Sequence, residues 1–182
     1  LTIFQCSIDK IPFNDNFFDA AVCLGVMQHT QDSTKSLKEL SRVVKRNGLI
    51  SFDHYKRHIG HFFSMYLIYW FIIKRFSLKT QLKITNRFTK IFFPIHWFFK
   101  EYQFIQFLLR RISPIAFYYG MFPLNKKQHY EFSMLDTYDK NTDHFKRHLS
   151  FNSMNKLVQN IGFKNYKIKN GGTGLLCIIK NI

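Results

Sequence analysis

The residues best equipped for chemistry stand together in Gly25-Val26-Met27-Gln28-His29-Thr30, directly after the apolar stretch 17–24. A strand that ends in a small residue and then offers an amide and an imidazole forms the rim of a ligand site. His29 suits proton transfer or contact with an acceptor; the competing reading is a loop histidine bonded to backbone. His54, His58 and His61 are spaced to share a helix face, as metal ligands would. No carboxylate joins them at helical spacing, since Asp53 precedes His54, so solvated or core-edge histidines are the better reading and no metal is expected. Cys6, Cys23 and Cys177 are odd in number and widely spaced, which suggests no disulfide framework and fits a reducing cytoplasm. Leu1 to Pro12 lacks the basic start and long apolar core of a secretory leader.

The 182 residues are 46% hydrophobic, enough for a proper core, and carry a net charge of +16. Such a field draws anions: phosphorylated substrates, nucleic acid or anionic lipid. A composition rich in Lys, Asn and Ile offers a blander origin for the same charge. No recognised nucleic-acid reading motif is present, so nucleic acid is not the expected partner.

Stepping from these residues to what must hold them, 1–6 reads as a strand and 7–16, with Pro12 and Asn14-Asp15-Asn16, as a loop. Residues 19–25, Asp19-Ala20-Ala21-Val22-Cys23-Leu24-Gly25, read as small and apolar on both faces, the pattern of a strand covered on both sides. Asp32-Ser33 caps a helix to about Val44 with Leu37, Leu40, Val43 and Val44 on one face. Asn47-Gly48 ends it, and 49–54 is a strand. A strand-helix-strand unit of this length implies a right-handed parallel crossover.

Residues 55–130 hold thirteen Lys or Arg and one acid, Glu101, and read as aromatic helices broken by Pro94 and Pro114. The uninterrupted apolar run 62–73 is 12 residues, against about 20 for a membrane-crossing helix. A cap over a site, or a helix lying on a membrane surface, fits that length. Residues 131–149 read as polar and irregular. Ser150 caps a helix with Met154, Leu157, Val158 and Ile161 on one face, stopped by Gly162. The chain closes on two strands joined by Asn170-Gly171-Gly172, a hairpin signal.

Taken in order, Ile11-Pro12-Phe13, Phe18-Asp19, Gln28-His29-Thr30 and Arg42-Val43-Val44-Lys45-Arg46-Asn47-Gly48 resemble class I S-adenosylmethionine-dependent methyltransferases. The resemblance is to the second half of their catalytic domain, nearest the ubiquinone, sterol and small-metabolite branch. The later segment 144–165 is similar to the Gly-Phe-ended helix before that family's closing hairpin. The resemblance implies an α/β fold: a partial Rossmann-like sheet, strands three to seven, with a helical insertion after strand five. It divides the chain into 1–54 as the later part of the cofactor core, 55–130 as a basic aromatic insertion, and 131–182 as a substrate-facing segment with helix and hairpin. It implies S-adenosyl-L-methionine as cofactor, approached by Ser7, Ile8, Asp9, Leu24, Gly25 and Val26. Gln28, His29, Tyr138, His144 and His148 would face the acceptor, with His29 as the catalytic candidate. The acceptor would be a small molecule or lipid-like, with peripheral membrane contact for a cytoplasmic protein. The alternative is a non-catalytic basic helical module that binds an anionic membrane or other polyanion.

The sequence departs from the family pattern in three places. The Gly-rich loop after strand one and the acid ending strand two do not lie within the 182 residues. Ser7 stands where the family carries the Asp that accepts from the adenine amino group, with Asp9 two residues on. Arg46-Asn47-Gly48 replaces Pro-Gly-Gly. The chain also opens in mid-strand on Leu1. These features lead us to expect an N-terminally truncated copy: residues 1–6 would lack a neighbour, 19–24 would form an open edge, and the cofactor would be held weakly or not at all.

Overall fold

In this computed structural model, residues 2–57, 65–172 and 174–181 are described. The chain divides into an α/β unit, 1–57 with 145–182, and a helical unit, 58–144.

The α/β unit is built on β1 (Phe18–Cys23), α1 (Ser33–Val43), β2 (Val44–Tyr55), α6 (Phe151–Ile161), β3 (Tyr166–Asn170) and β4 (Gly174–Lys180). The sheet order is β1-β2-β4-β3; β1 and β2 pair in parallel, while β4 pairs antiparallel with both β2 and β3. The capping expectations hold. Asp32 accepts from the Thr34 and Lys35 N–H groups, Ser150 accepts from Ser153 N–H, and Gly162 ends α6 in the left-handed region at φ 102°. Leu37, Leu40 and Val43 of α1 and Met154 and Val158 of α6 bury against Ile50 and Phe52 of β2 and Leu175, Cys177 and Ile179 of β4. These helices cover one face of the sheet.

Two strand expectations are corrected. Residues 2–6 form no strand; a lone β-branched stretch with no neighbouring ladder has nothing to satisfy its backbone. β1 is not covered on both faces. It is an edge strand, its outer side pairing with no strand among the described residues, and Val22 is 73% exposed. Ala21 and Cys23 face the helices, and the opposite row faces outward.

α1 ends at Val43 and β2 begins at Val44, so Asn47-Gly48 does not end the helix but makes a bulged turn inside β2, where its register against β1 shifts. Asn47 takes φ 65° in the left-handed region, which Asn tolerates. A Cβ on Gly48 would lie 2.6 Å from the Asp19 carbonyl oxygen and 2.6 Å from Val44 Cγ1. Asn181 locks the same turn: its Nδ2 donates to the carbonyls of Ser41 and Val44 at 3.0 and 2.8 Å, and its Oδ1 accepts from Ser41 Oγ at 2.9 Å.

The helical unit holds α2 (Tyr66–Ile73), α3 (Leu78–Phe98), α4 (Gln103–Ile112) and α5 (Lys126–Thr142). Here two further expectations fail. Pro94 does not break α3, which runs through it; the buried Phe93 ring packs between Trp97, Phe117 and Tyr130 and holds the segment helical despite the missing N–H. Residues 131–142 are not irregular but belong to α5, begun by a reciprocal cap in which Asn125 Oδ1 accepts from Gln128 N–H and Gln128 Oε1 accepts from Asn125 N–H. Its buried positions are His129, Ser133, Thr137 and Asn141, a polar stripe at steps of four that carries no apolar periodicity.

Gly48→Ala is expected to destabilise the α/β unit by about 1–3 kcal/mol, the usual cost of overpacking. Thermal unfolding followed by circular dichroism checks this: the midpoint should fall by roughly 2–12 °C, and an unchanged midpoint would show that the turn yields freely.

Candidate functional site

The loop 7–16 is clamped to α1. Arg42 donates from Nη2 to the Ile11 carbonyl at 2.9 Å and from Nη1 to the Phe13 carbonyl at 2.9 Å, and pairs with Glu39 at 2.8 Å and Asp15 at 2.6 Å. Glu39 Oε1 in turn accepts from Ile11 N–H at 2.8 Å. The guanidinium beside it, with that backbone bond, holds the Glu39 carboxyl below its ordinary value. Within the loop, the Ser7 hydroxyl is exposed and accepts from Asp9 N–H at 3.3 Å; Ile8 packs on the core; Asp9 Oδ1 accepts from Ser36 Oγ at 2.5 Å. Asp9 is thus spent in part on fastening the loop to α1.

The second element is the carboxyl edge of the parallel pair. β1 ends at Cys23, and Leu24 and Val26 are exposed on either side of Gly25. Gly25 sits at φ 73°, with no atom within 4 Å of where a Cβ would be. Its N–H donates to Asp53 Oδ1 at 2.6 Å, a short charge-assisted bond from a carboxylate buried at the end of β2. The 3-10 turn Met27–His29 follows. Met27 enters the core, while Gln28 is fully buried and neither its amide nitrogen nor its amide oxygen has a protein partner. An orphaned buried amide costs about 1–3 kcal/mol, so its persistence marks a position that a polar ligand or water completes.

His29 meets the Tyr55 ring edge-on, centroids 5.5 Å apart, and His148 stacks on the same ring at 5.6 Å. Lys146 Nζ lies 5.0 Å from the same ring. The segment 145–149 reaches this rim through backbone bonds: Arg147 N–H to the Gln28 carbonyl at 3.2 Å and Leu149 N–H to the Tyr55 carbonyl at 2.8 Å. The α/β unit therefore gathers Gln28, His29 and His148 from residues far apart in sequence. Tyr138 and His144 belong to the helical unit, Tyr138 on α5 with its carbonyl accepting from Thr142 Oγ1 at 2.8 Å, and His144 exposed after it. The sequence reading missed Asp53, Tyr55 and Lys146; an acid near the end of an apolar strand was the available signal for Asp53.

His54 lies on β2, so it does not share a helix face with His58 and His61, which lie outside the described residues. Among the described residues no three His, Cys, Asp or Glu side chains group as a metal requires. His54 is fully buried with neither ring nitrogen hydrogen-bonded. Burial, chiefly, brings its pKa down to about 4 and keeps it neutral. Cys23 is pushed up to about 11 by burial and then by Asp53, and Cys177 to about 12 by burial, so both are inert thiols.

Residues 1–52 match the family described as a methyltransferase domain. A SAM-dependent methyltransferase structure from Thermotoga maritima is similar at 12% identity and TM-score 0.45, covering 98% of this chain and 63% of its own. A second, from Methanosarcina mazei, is similar at 12% identity and TM-score 0.41, covering 95% and 62%. The chain thus spans less than two thirds of either. No curated protein matches it.

The His54 ring imposes a pH dependence on folding. Above the ordinary 6.5 both states are neutral there. Below it the unfolded chain takes up a proton that the folded one refuses until about pH 4, so stability falls across that window by roughly 3 kcal/mol at 1.36 kcal/mol per decade. His54→Phe should flatten the decline in unfolding midpoint between pH 6.5 and 4; equal slopes in the two proteins would contradict the burial of a neutral ring.

Proposed function

From the match of residues 1–52 to a methyltransferase-domain family, we propose that the protein serves methyl transfer from S-adenosyl-L-methionine to a small-molecule or lipid-like acceptor. The observation that carries this reading is the Gly25 rim. A left-handed glycine, pinned by Asp53 and open where any side chain would stand, lets a ligand approach the backbone at the carboxyl edge of a parallel pair. The orphaned Gln28 amide at the same edge supports it.

The cofactor, when bound, supplies a methyl group on a sulfonium that is already strongly electrophilic. The chain's own task is to hold and orient. Leu24, Gly25 and Val26 would form one wall for it, and Ser7, Ile8 and Asp9 a second, with Ser7 accepting a hydrogen bond without the charge of a carboxylate. Gln28 and His29 would orient the acceptor, and where the acceptor gives up a proton an imidazole nitrogen of His29 receives it. His148, stacked on Tyr55, would contact the acceptor.

Saturation-transfer NMR of S-adenosylmethionine with the chain should give transfer to the adenosine protons, and Gly25→Val should abolish it with circular dichroism unchanged. No transfer to the wild type, or equal transfer in both proteins, would overturn the assignment of this rim to the cofactor.

A further inference from the structure

The helical unit is patterned inside out. Its buried positions on α3 are Gln81, Thr85, Thr89, Phe93 and His96, and those on α5 are His129, Ser133, Thr137 and Asn141. The two helices meet along i±4 ridges of small polar side chains. Gln81 Oε1, Thr85 Oγ1, His96 Nε2 and Asn141 Oδ1 are buried there without partners. The fully buried apolar cluster comes to three residues among those described, Phe93, Ile115 and Phe117. Meanwhile large apolar side chains of the unit point to solvent. Exposed single apolar residues are ordinary; buried polar seams beneath exposed apolar faces are not.

α4 is the clearest case. Its buried residue is Gln106, clasped to His96: Gln106 Nε2 donates to the His96 carbonyl at 2.8 Å, and Gln106 Oε1 lies 2.8 Å from His96 Nδ1. A backbone bond from Met65 N–H to the Arg111 carbonyl at 3.0 Å and a side-chain bond from the Tyr69 hydroxyl to the Ile112 carbonyl at 3.0 Å fasten its end. The helix is therefore held by polar clasps. Phe104, Phe107, Leu108 and Ile112, at helical spacing on one face, are left exposed, Phe104 at 73%. The Arg111 guanidinium lies over the Phe107 ring at 4.8 Å. α2 repeats the arrangement, with exposed Phe71 and Ile72 and the Arg75 guanidinium over Phe71 at 3.9 Å.

The charge selects the occupant. Residues 66–112 carry nine Lys or Arg and one acid, Glu101. The Glu101 carboxylate is already engaged, accepting from Tyr119 Oη at 2.8 Å and pairing with Lys100 at 3.4 Å. An apolar stripe bordered by cations, with Arg75 and Arg111 over aromatic rings, suits a surface that is anionic outside and hydrocarbon beneath. No helix among the described residues is long and apolar enough to cross a membrane.

We infer that α4, with α2, docks this unit in the plane of an anionic phospholipid bilayer, Phe104, Phe107, Leu108 and Ile112 entering the headgroup–acyl boundary and the neighbouring arginines meeting lipid phosphates. The inference uses only the helical unit and stands apart from methyl transfer, so loss of cofactor binding leaves it intact.

The test is cosedimentation of the full chain with vesicles of phosphatidylcholine alone and with one quarter phosphatidylserine. Binding should be at least fivefold stronger to the anionic vesicles and fall severalfold in 0.5 M salt. Phe104→Ser with Phe107→Ser, both at exposed sites, should weaken it about tenfold or more with helicity unchanged. Arg110→Gln with Arg111→Gln should remove most of the serine-lipid preference. No vesicle binding, or binding that ignores the phenylalanine pair, overturns the inference. So does a dimer in sedimentation that the phenylalanine variants dissociate while vesicles do not compete, which would give the face to a second copy.

Discussion

The parallel pairing of β1 with β2, closed at its carboxyl end by the Gly25 N–H bond to Asp53, is the constraint on which the site depends. Backbone pairing alone leaves the residues after β1 free to leave in any direction. A buried carboxylate that accepts from Gly25 sets that direction, and the left-handed φ at Gly25 then lays Met27 into the core and Gln28-His29 along the rim. The other end of the pair is set by Gly48, where no side chain fits between Asp19 and Val44, and by Asn181, which satisfies the carbonyls of the turn. Both ends of one strand pair are thus decided by residues that carry no hydrophobic signal.

The clamp around Arg42 works differently. It satisfies two loop carbonyls and two carboxylates with one planar guanidinium, a fork that Lys cannot reproduce. It converts a Pro-containing loop with no regular structure into a fixed wall beside α1. The wall and the rim together give the α/β unit a ligand-facing edge, while β1 keeps an open outer side on which Val22 is exposed.

The helical unit obeys another rule. Its helices meet on Thr, Ser, Gln, His and Asn, and its apolar side chains face outward. Small polar residues let helix backbones approach closely, as they do where hydrocarbon rather than water is the surrounding solvent. The Arg75 and Arg111 guanidinium groups lie over the Phe71 and Phe107 rings. The two units therefore distribute polarity in opposite senses within one chain.

The local structure that follows from a residue's own chemistry was legible in advance. Asp32 and Ser150 as caps, Gly162 as a stop, the apolar faces of α1 and α6, and the closing hairpin follow from hydrogen-bond inventory and period. The order of short motifs through residue 52 carried the family resemblance, while the contact of His29 and His148 with one ring, Tyr55, is not written in their spacing. What the sequence could not disclose is partnership at a distance. Residues 1–6 have strand composition, but a strand exists only with a neighbour. Residues 131–142 lack apolar period, yet form a helix because a facing polar ridge accepts them. Pro94 stays helical because an aromatic cluster holds Phe93. Asp53 became a site residue when β2 came to lie beside β1, because a carboxylate's role is set by the N–H it meets, and only the folded chain brings the two together.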